Sequence, residues 1–205
     1  MKTVILEHQS IVPSKIICIG RNYVEHIAEL SNEIPDEMVV FNKPNSAIST
    51  ELNSYHLEQL HYEGELCFLV KDGGFSAVAF GLDLTKRNLQ SKLKAKGLPW
   101  ERAKAFNGAA VFSEFVKVNM TEINDQLRLE LSIDEKIVQS GSVQLMIYKP
   151  TEILAELKSY TELNDGDIVM TGTPKGVGAI TKGARFKGRV FISNQELVSM
   201  DWVAN

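Results

Sequence analysis

Cysteine is scarce in this chain, and a long apolar run is missing altogether. Two cysteines in 205 residues, Cys18 and Cys67, each sit inside a short apolar stretch. They cannot build a disulfide framework or a four-cysteine zinc site, and they read as buried thiols of a reducing compartment. No window approaches the roughly 20 apolar residues of a membrane span. The amino-terminal MKTVILEHQSIVPSK has an apolar stretch too short for the core of a secretory signal. Basic charge is also lacking. Lys and Arg number 22 against 26 Asp and Glu, for a net charge of −4, so the footprint of a general nucleic-acid binder is absent. Repeats, low-complexity tracts and linker-like stretches are missing too. The expectation is one cytoplasmic domain over residues 1–205, with no nucleic-acid or membrane partner.

What remains is ordinary globular composition, 44% apolar and 23% charged. KIICIG reads as a buried strand closed by Gly20, and NYVEHIAELSNE carries helical spacing through Tyr23, Ile27 and Leu30. EMVVFNKP, GELCFLV, SAVAFGLDL, DIVMTGT and RVFIS read as strands, with KDGG as a turn. QLRLELSID alternates, with Leu127, Leu129, Leu131 and Ile133 on one face. TKRNLQSKLKAK predicts a helix stopped by Gly97, and PTEILAELKSY another with Thr151 as N-cap. Many strands, few helices and no βαβ rhythm predict an α+β, mainly β fold.

Glu63 and Glu65 stand two apart in LHYEGELCFLV, so on a strand both point to one face. If KDGG closes a hairpin pairing Lys71 with Ala77, Asp83 falls opposite Glu65 on that face. Three carboxylates would then lie within about 5–8 Å of one another. Ionised groups so close need a cation, and oxygen ligands select Mg²⁺, then Mn²⁺ or Ca²⁺. From the residues alone, the solvated face of an edge strand is the favoured reading of the pair.

Five stretches, taken in order, resemble the fumarylacetoacetate hydrolase family, in its small branch of acylpyruvases and oxaloacetate decarboxylases or tautomerases. They are GRNYVEHIAEL, HYEGEL, GLDLTKRNLQ, GLPWERAKAF and GDIVMTGTPKGVG. The resemblance implies a mixed β-sandwich or roll with a few short helices, of the type of that family's C-terminal domain, and a homodimer. It implies Glu63, Glu65 and Asp83 as divalent-metal ligands and Lys104 as a catalytic ammonium. Arg87 and Gln90 become carboxylate contacts, while the neighbouring Lys92, Lys94 and Lys96 read as a solvated helix face. His26 and Glu29, i and i+3 on a helix, become a catalytic pair on a lid segment, with Arg21 and Tyr23 closing on substrate. Thr173 and the backbone N–H groups of TGTPKGVG offer a further carboxylate site.

Four features depart from the family pattern: Tyr62 in place of a second histidine, Gly64 between the ligands, Asn88 in place of aspartate, and a short link between the ligand strands. The expected activity is metal-dependent cleavage of a C–C bond in an acylpyruvate or fumarylpyruvate-type 2,4-dioxo acid, through a metal-stabilised enolate. His26 would activate water. The alternatives are an oxaloacetate decarboxylase or tautomerase, an isomerase of 2-hydroxyhepta-2,4-diene-1,7-dioate, or a non-catalytic 2-oxo acid binding protein.

Overall fold

Strands dominate the chain, and the computed structural model describes residues 1–29, 35–119, 123 and 126–205. An N-terminal hairpin, β1 (Val4–Leu6) and β2 (Gln9–Ile11), precedes β3 (Lys15–Gly20), α1 (Val24–Glu29) and β4 (Val39–Pro44). Leu30, at the far end of the predicted first helix, lies outside the described residues. The short β5 (Ile48–Ser49) and β6 (His61–Tyr62) lead into the long hairpin of β7 (Gly64–Lys71) and β8 (Gly74–Asp83). Helices α2 (Arg87–Ala95) and α3 (Glu101–Lys104) follow, then β9 (Ala110–Phe112) and β10 (Val116–Lys117). The last part holds β11 (Leu127–Ile133), β12 (Lys136–Ser142), α4 (Pro150–Tyr160), β13 (Ile168–Met170), β14 (Gly178–Ala179), β15 (Arg185–Ile192) and β16 (Gln195–Val203).

Two sheets make the body. The larger runs β4-β3-β13-β7-β8-β9-β5, with β10 also on β8, and mixes parallel with antiparallel pairs. The smaller runs β12-β11-β15-β16. This is the mainly β, curled architecture that the sequence predicts. Leu66, Phe68, Phe80 and Leu82 of the large sheet join Leu129, Leu131, Phe186 and Trp202 of the small one in one buried cluster. The opposite face of the large sheet buries Cys18, Cys67, Leu69, Ala79 and Met170. Burial on both faces is why GELCFLV is nearly all apolar and does not alternate. Both cysteines are free and buried, as predicted. No helix among the described residues is long and apolar enough to cross a membrane.

Two local expectations need correcting. The β7–β8 turn is the two residues Asp72 and Gly73, both at positive φ (50° and 69°), which suits a tight hairpin. Lys71 therefore pairs with Gly74, and after a shift at Leu69/Val70, Glu65 pairs with Gly81, not Asp83. The slip is an even number of residues, so Asp83 keeps the face of Glu65 and stands level with Glu63, whose carbonyl accepts its N–H. In β11 the apolar face runs on as expected, with Leu127, Leu129 and Leu131 buried in the core and half-buried Ile133 packed against it. The irregularity at Leu131/Ser132 is an extra residue, Val138, in the neighbouring β12. Helix α4 begins two residues earlier than expected. Pro150 takes its first turn and Lys149 is the N-cap, with its N–H donated to Glu152 at 2.6 Å, so Thr151 is already inside the helix.

Candidate active site

At one end of the buried face of the large sheet, the apolar row Leu69–Cys67 gives way to Glu65, and the row Ala77–Ala79 gives way to Gly81 and Asp83. A Cβ on Gly81 would lie 2.4 Å from Cys67 Sγ, so glycine is what lets these rows meet. Glu63, Glu65 and Asp83 are all buried, and each offers an oxygen within 4.8 Å of the others. Of the two readings of the glutamate pair, the solvated edge strand is therefore excluded. An all-carboxylate donor set buried this way fits a hard divalent cation.

Three cations already surround the acids. Lys104 Nζ, at the end of α3, donates to Glu63 (2.8 Å), Asp83 (2.7 Å) and Thr85 Oγ1 (2.6 Å). Arg87 donates to the other oxygen of Glu63 and, at 2.8 Å, to Gln90 Oε1. Lys43, fully buried on β4, sits 2.7 Å from Asp83 Oδ1 and donates to the Lys104 carbonyl. Burial works against the charge on Glu63, but Lys104, Arg87 and His26 outweigh it and hold that carboxyl well below the usual range. Glu65 goes the other way. Burial, then the charges of Asp83 and Glu63, push it well above the usual range, countered by the Gly172 N–H donated to it at 2.7 Å and by Lys104. Burial opposes the ammonium of Lys104 too, yet Asp83 and Glu63 raise its proton affinity above the ordinary lysine value.

Most of the residues singled out from the sequence meet at this place. One cleft is lined by Arg21, His26, the three acids, Arg87, Gln90, Lys104 and Thr173. His26 is buried, with Nδ1 3.2 Å from Glu29 Oε2. Burial lowers its proton affinity more than Glu63 and Glu29 restore it, so the ring is neutral near pH 7. Tyr23 is not brought to this cleft. Its ring packs in the core beside Gly141 and lines a separate depression with Pro174. The TGTPKGVG loop does hold carboxylates, but they are the protein's own: Gly172 N–H takes Glu65 and Gly176 N–H takes Glu29. The Thr173 hydroxyl donates to the Gly64 carbonyl and accepts from Gln139 Nε2.

Lys94 corrects the reading of the α2 lysines. Lys92 and Lys96 are exposed, whereas Lys94 is half-buried, lines the cleft, and rests its ammonium 4.8 Å from the Trp100 ring centroid. Arg87, Gln90 and Lys94 share one face at i, i+3 and i+7, a spacing that pointed to it. Lys43 and Gln139 were missed for a different reason. One lies on a strand and one on the second sheet, and only the fold brings them near the acids.

The departures from the family pattern have local partners. A Cβ on Gly64 would sit 2.9 Å from Phe80 and 3.0 Å from Gln139 Oε1, which accepts the Gly64 N–H. Tyr62 pairs with Gly178, where a Cβ would meet its hydroxyl at 3.0 Å. Asn88 is exposed, and Glu58 caps the start of α2 through its N–H.

Comparison with known proteins agrees with this geometry. Residues 15–202 match the model of the fumarylacetoacetate (FAA) hydrolase C-terminal domain. Oxaloacetate tautomerase oaa1 of Schizosaccharomyces pombe, a mitochondrial protein, is 34% identical over 89% of this chain and 90% of its own length. Oxaloacetate tautomerase YcgM of Escherichia coli is 34% identical over 83% and 85%. Among solved structures, a fumarylacetoacetate isomerase/hydrolase-type protein from Oleispira antarctica superposes with a TM-score of 0.94, at 32% identity over 100% of both chains. Fumarylpyruvate hydrolase from Pseudomonas aeruginosa, in complex with Mn²⁺ and pyruvate, superposes with a TM-score of 0.88, at 27% identity over 99% and 95%.

Proposed function

This chain belongs to the fumarylacetoacetate hydrolase family, and from that premise we propose that it is a divalent-metal-dependent enzyme of small 2-oxo acids whose reaction is the enol–keto tautomerisation of oxaloacetate. The observation that carries the reading is the buried triad of Glu63, Glu65 and Asp83, with the Lys104 ammonium bridging two of its members. The names of the relatives, oxaloacetate tautomerases at 34% identity, support placing tautomerisation ahead of hydrolysis, the reverse of the order read from the sequence.

Glu63, Glu65 and Asp83 would hold Mg²⁺ or Mn²⁺. When bound, the ion supplies Lewis-acid polarisation of a 2-oxo acid that chelates through its keto and carboxylate oxygens. With all three acids ionised, as a bound ion would hold them, Lys43, Lys104 and Arg87 balance their charge; without an ion Glu65 keeps its proton more readily. A dication then leaves an excess of two positive charges, which a dianionic 2-oxo acid cancels. Lys104, fixed by three acceptors, adds charge stabilisation where the substrate oxygen turns negative. Neutral His26, with Nδ1–H directed at Glu29, keeps its lone pair on Nε2. That nitrogen can take the enol O–H proton and return it to the adjacent carbon, so the isomerisation balances without water.

Acylpyruvate hydrolysis is the second reading. It is favoured by the same His26–Glu29 pair, which suits the activation of water. Purified protein with Mg²⁺, given oxaloacetate freshly dissolved as its enol or acetylpyruvate, tests the choice through enol absorbance. Rapid loss of the oxaloacetate enol with slow acetylpyruvate cleavage is expected. Faster acetylpyruvate cleavage reverses the order, and no effect on either leaves a binding protein.

A further inference from the structure

Lys94 has no part in the chemistry above, yet it is built into the same cleft. It lies two turns along α2 from Arg87, about 10 Å of axial rise, on the face that Arg87 and Gln90 turn toward the acids. Helix side chains lean toward the N-terminus, so its stem runs back toward those two residues. Trp100 gives the ammonium an aromatic shelf at 4.8 Å. The nearby carboxylates are taken by others: Glu63 by Arg87 and Lys104, Asp83 by Lys43 and Lys104. Among the described residues none is within ion-pair distance of Lys94.

The electrostatics agree with this placement. Burial, then the charges of Arg21 and Arg87, pull Lys94 down to about 8, with only Glu63 acting against them. The charges of Arg21 and Arg87 around it outnumber that of Glu63, and such a place attracts an anion. The cleft therefore has two unlike ends: a chelating end of three carboxylates, and a cationic end of Lys94 near Arg21.

We propose that Lys94 binds the far carboxylate of a short 2-oxo dicarboxylate, the end not engaged at Glu63, Glu65 and Asp83, and so sets a preference for dianionic over monoanionic 2-oxo acids. The inference rests on the 2-oxo acid reading of the site and adds the residue that discriminates within that class. A charge-assisted contact to a ligand anion is lost outright when the ligand carries a methyl in its place.

Oxaloacetate and 2-oxobutanoate differ only by a carboxylate in place of that methyl. Binding of each to the Mg²⁺-loaded protein is followed by tryptophan fluorescence, since Trp100 lines the cleft. The wild type is expected to prefer oxaloacetate by about tenfold or more. Lys94→Met, which keeps the stem over Trp100, should bring the ratio close to one and leave the 2-oxobutanoate affinity within about twofold, while Lys94→Arg keeps most of the preference. An unchanged ratio in Lys94→Met, or equal weakening of both ligands, overturns the assignment. A wild type that binds 2-oxobutanoate without preferring oxaloacetate overturns it too, but leaves the 2-oxo acid reading standing. A wild type that binds neither removes both.

Discussion

Glu29 reaches His26 through one carboxylate oxygen, 3.2 Å from Nδ1, while its other oxygen accepts the Gly176 N–H at 3.0 Å. The histidine is thereby tied to the loop after β13 as well as to its own helix. His26→Ala should lower acylpyruvate hydrolysis by roughly 10²–10⁴, the scale of a lost general base. Oxaloacetate tautomerisation should fall too, because the same nitrogen takes the enol proton, but by less, since metal polarisation and Lys104 share that barrier. Steady-state rates of one preparation on both substrates check this. Full retention on acylpyruvates would exclude the hydrolytic role.

Glu65→Gln keeps the size of the side chain and removes a ligand charge. Mg²⁺ affinity should fall and turnover should disappear, while the circular dichroism of the fold stays as it was. Calorimetry showing unaltered Mg²⁺ binding would take Glu65 out of the metal site, and a preference for zinc would count against an all-oxygen ligand set.

Gly176 stands at φ 98°, and a Cβ there would come within 2.0 Å of the Val138 carbonyl oxygen. Gly176→Ala must displace the loop and with it the N–H that Glu29 uses. A stability loss of about 1–3 kcal/mol and a fall in turnover are expected together, measured by denaturant unfolding and by rate. A fully active, equally stable variant would separate this loop from the His26–Glu29 pair.

Asp167 is a purely structural acid. It accepts from Ser14 Oγ (2.6 Å), Lys15 Nζ (2.5 Å) and the Asn164 N–H (2.9 Å), and ties the start of β3 to the turn before β13. Burial works against its charge, but these partners hold its carboxyl below the usual value. A depressed acid contributes stability above its unfolded value, near 3.9, and loses it as the pH falls through the folded one. Asp167→Ala should cost on the order of 3 kcal/mol at pH 7, and the gap from wild type should shrink below about pH 4. A gap that stays constant from pH 7 to pH 3 would contradict this.

Much of the site could be read from the chain because its chemistry is local in sequence. Glu63 and Glu65 share a strand face by alternation, and His26 and Glu29 share a helix face by i, i+3 spacing. Arg87 and Gln90 follow the same helical rule, which also reaches Lys94 if basic side chains are not assumed to be solvated. The hairpin register differs from the expected one by three residues at the turn and by two past the irregularity at Leu69/Val70, and that even offset keeps Asp83 on the expected face. Lys43 was hidden because a lysine in EMVVFNKP carries no signal of burial until Asp83 is opposite it. Tyr23 shows the limit of reading roles along a motif: next to cleft residues in sequence, it points into the core.

Gln139 belongs to β12 of the small sheet, yet its side-chain amide accepts the Gly64 N–H and donates to Thr173 and the Pro174 carbonyl. It thus grips the single residue between the two glutamates from a different sheet. An ion bound at those glutamates stabilises only conformations in which that grip is intact, so its binding free energy is shared with β12 by linkage. Amide hydrogens of β12 should therefore exchange more slowly with deuterium when Mg²⁺ is added, although no residue of that strand offers the ion a ligand.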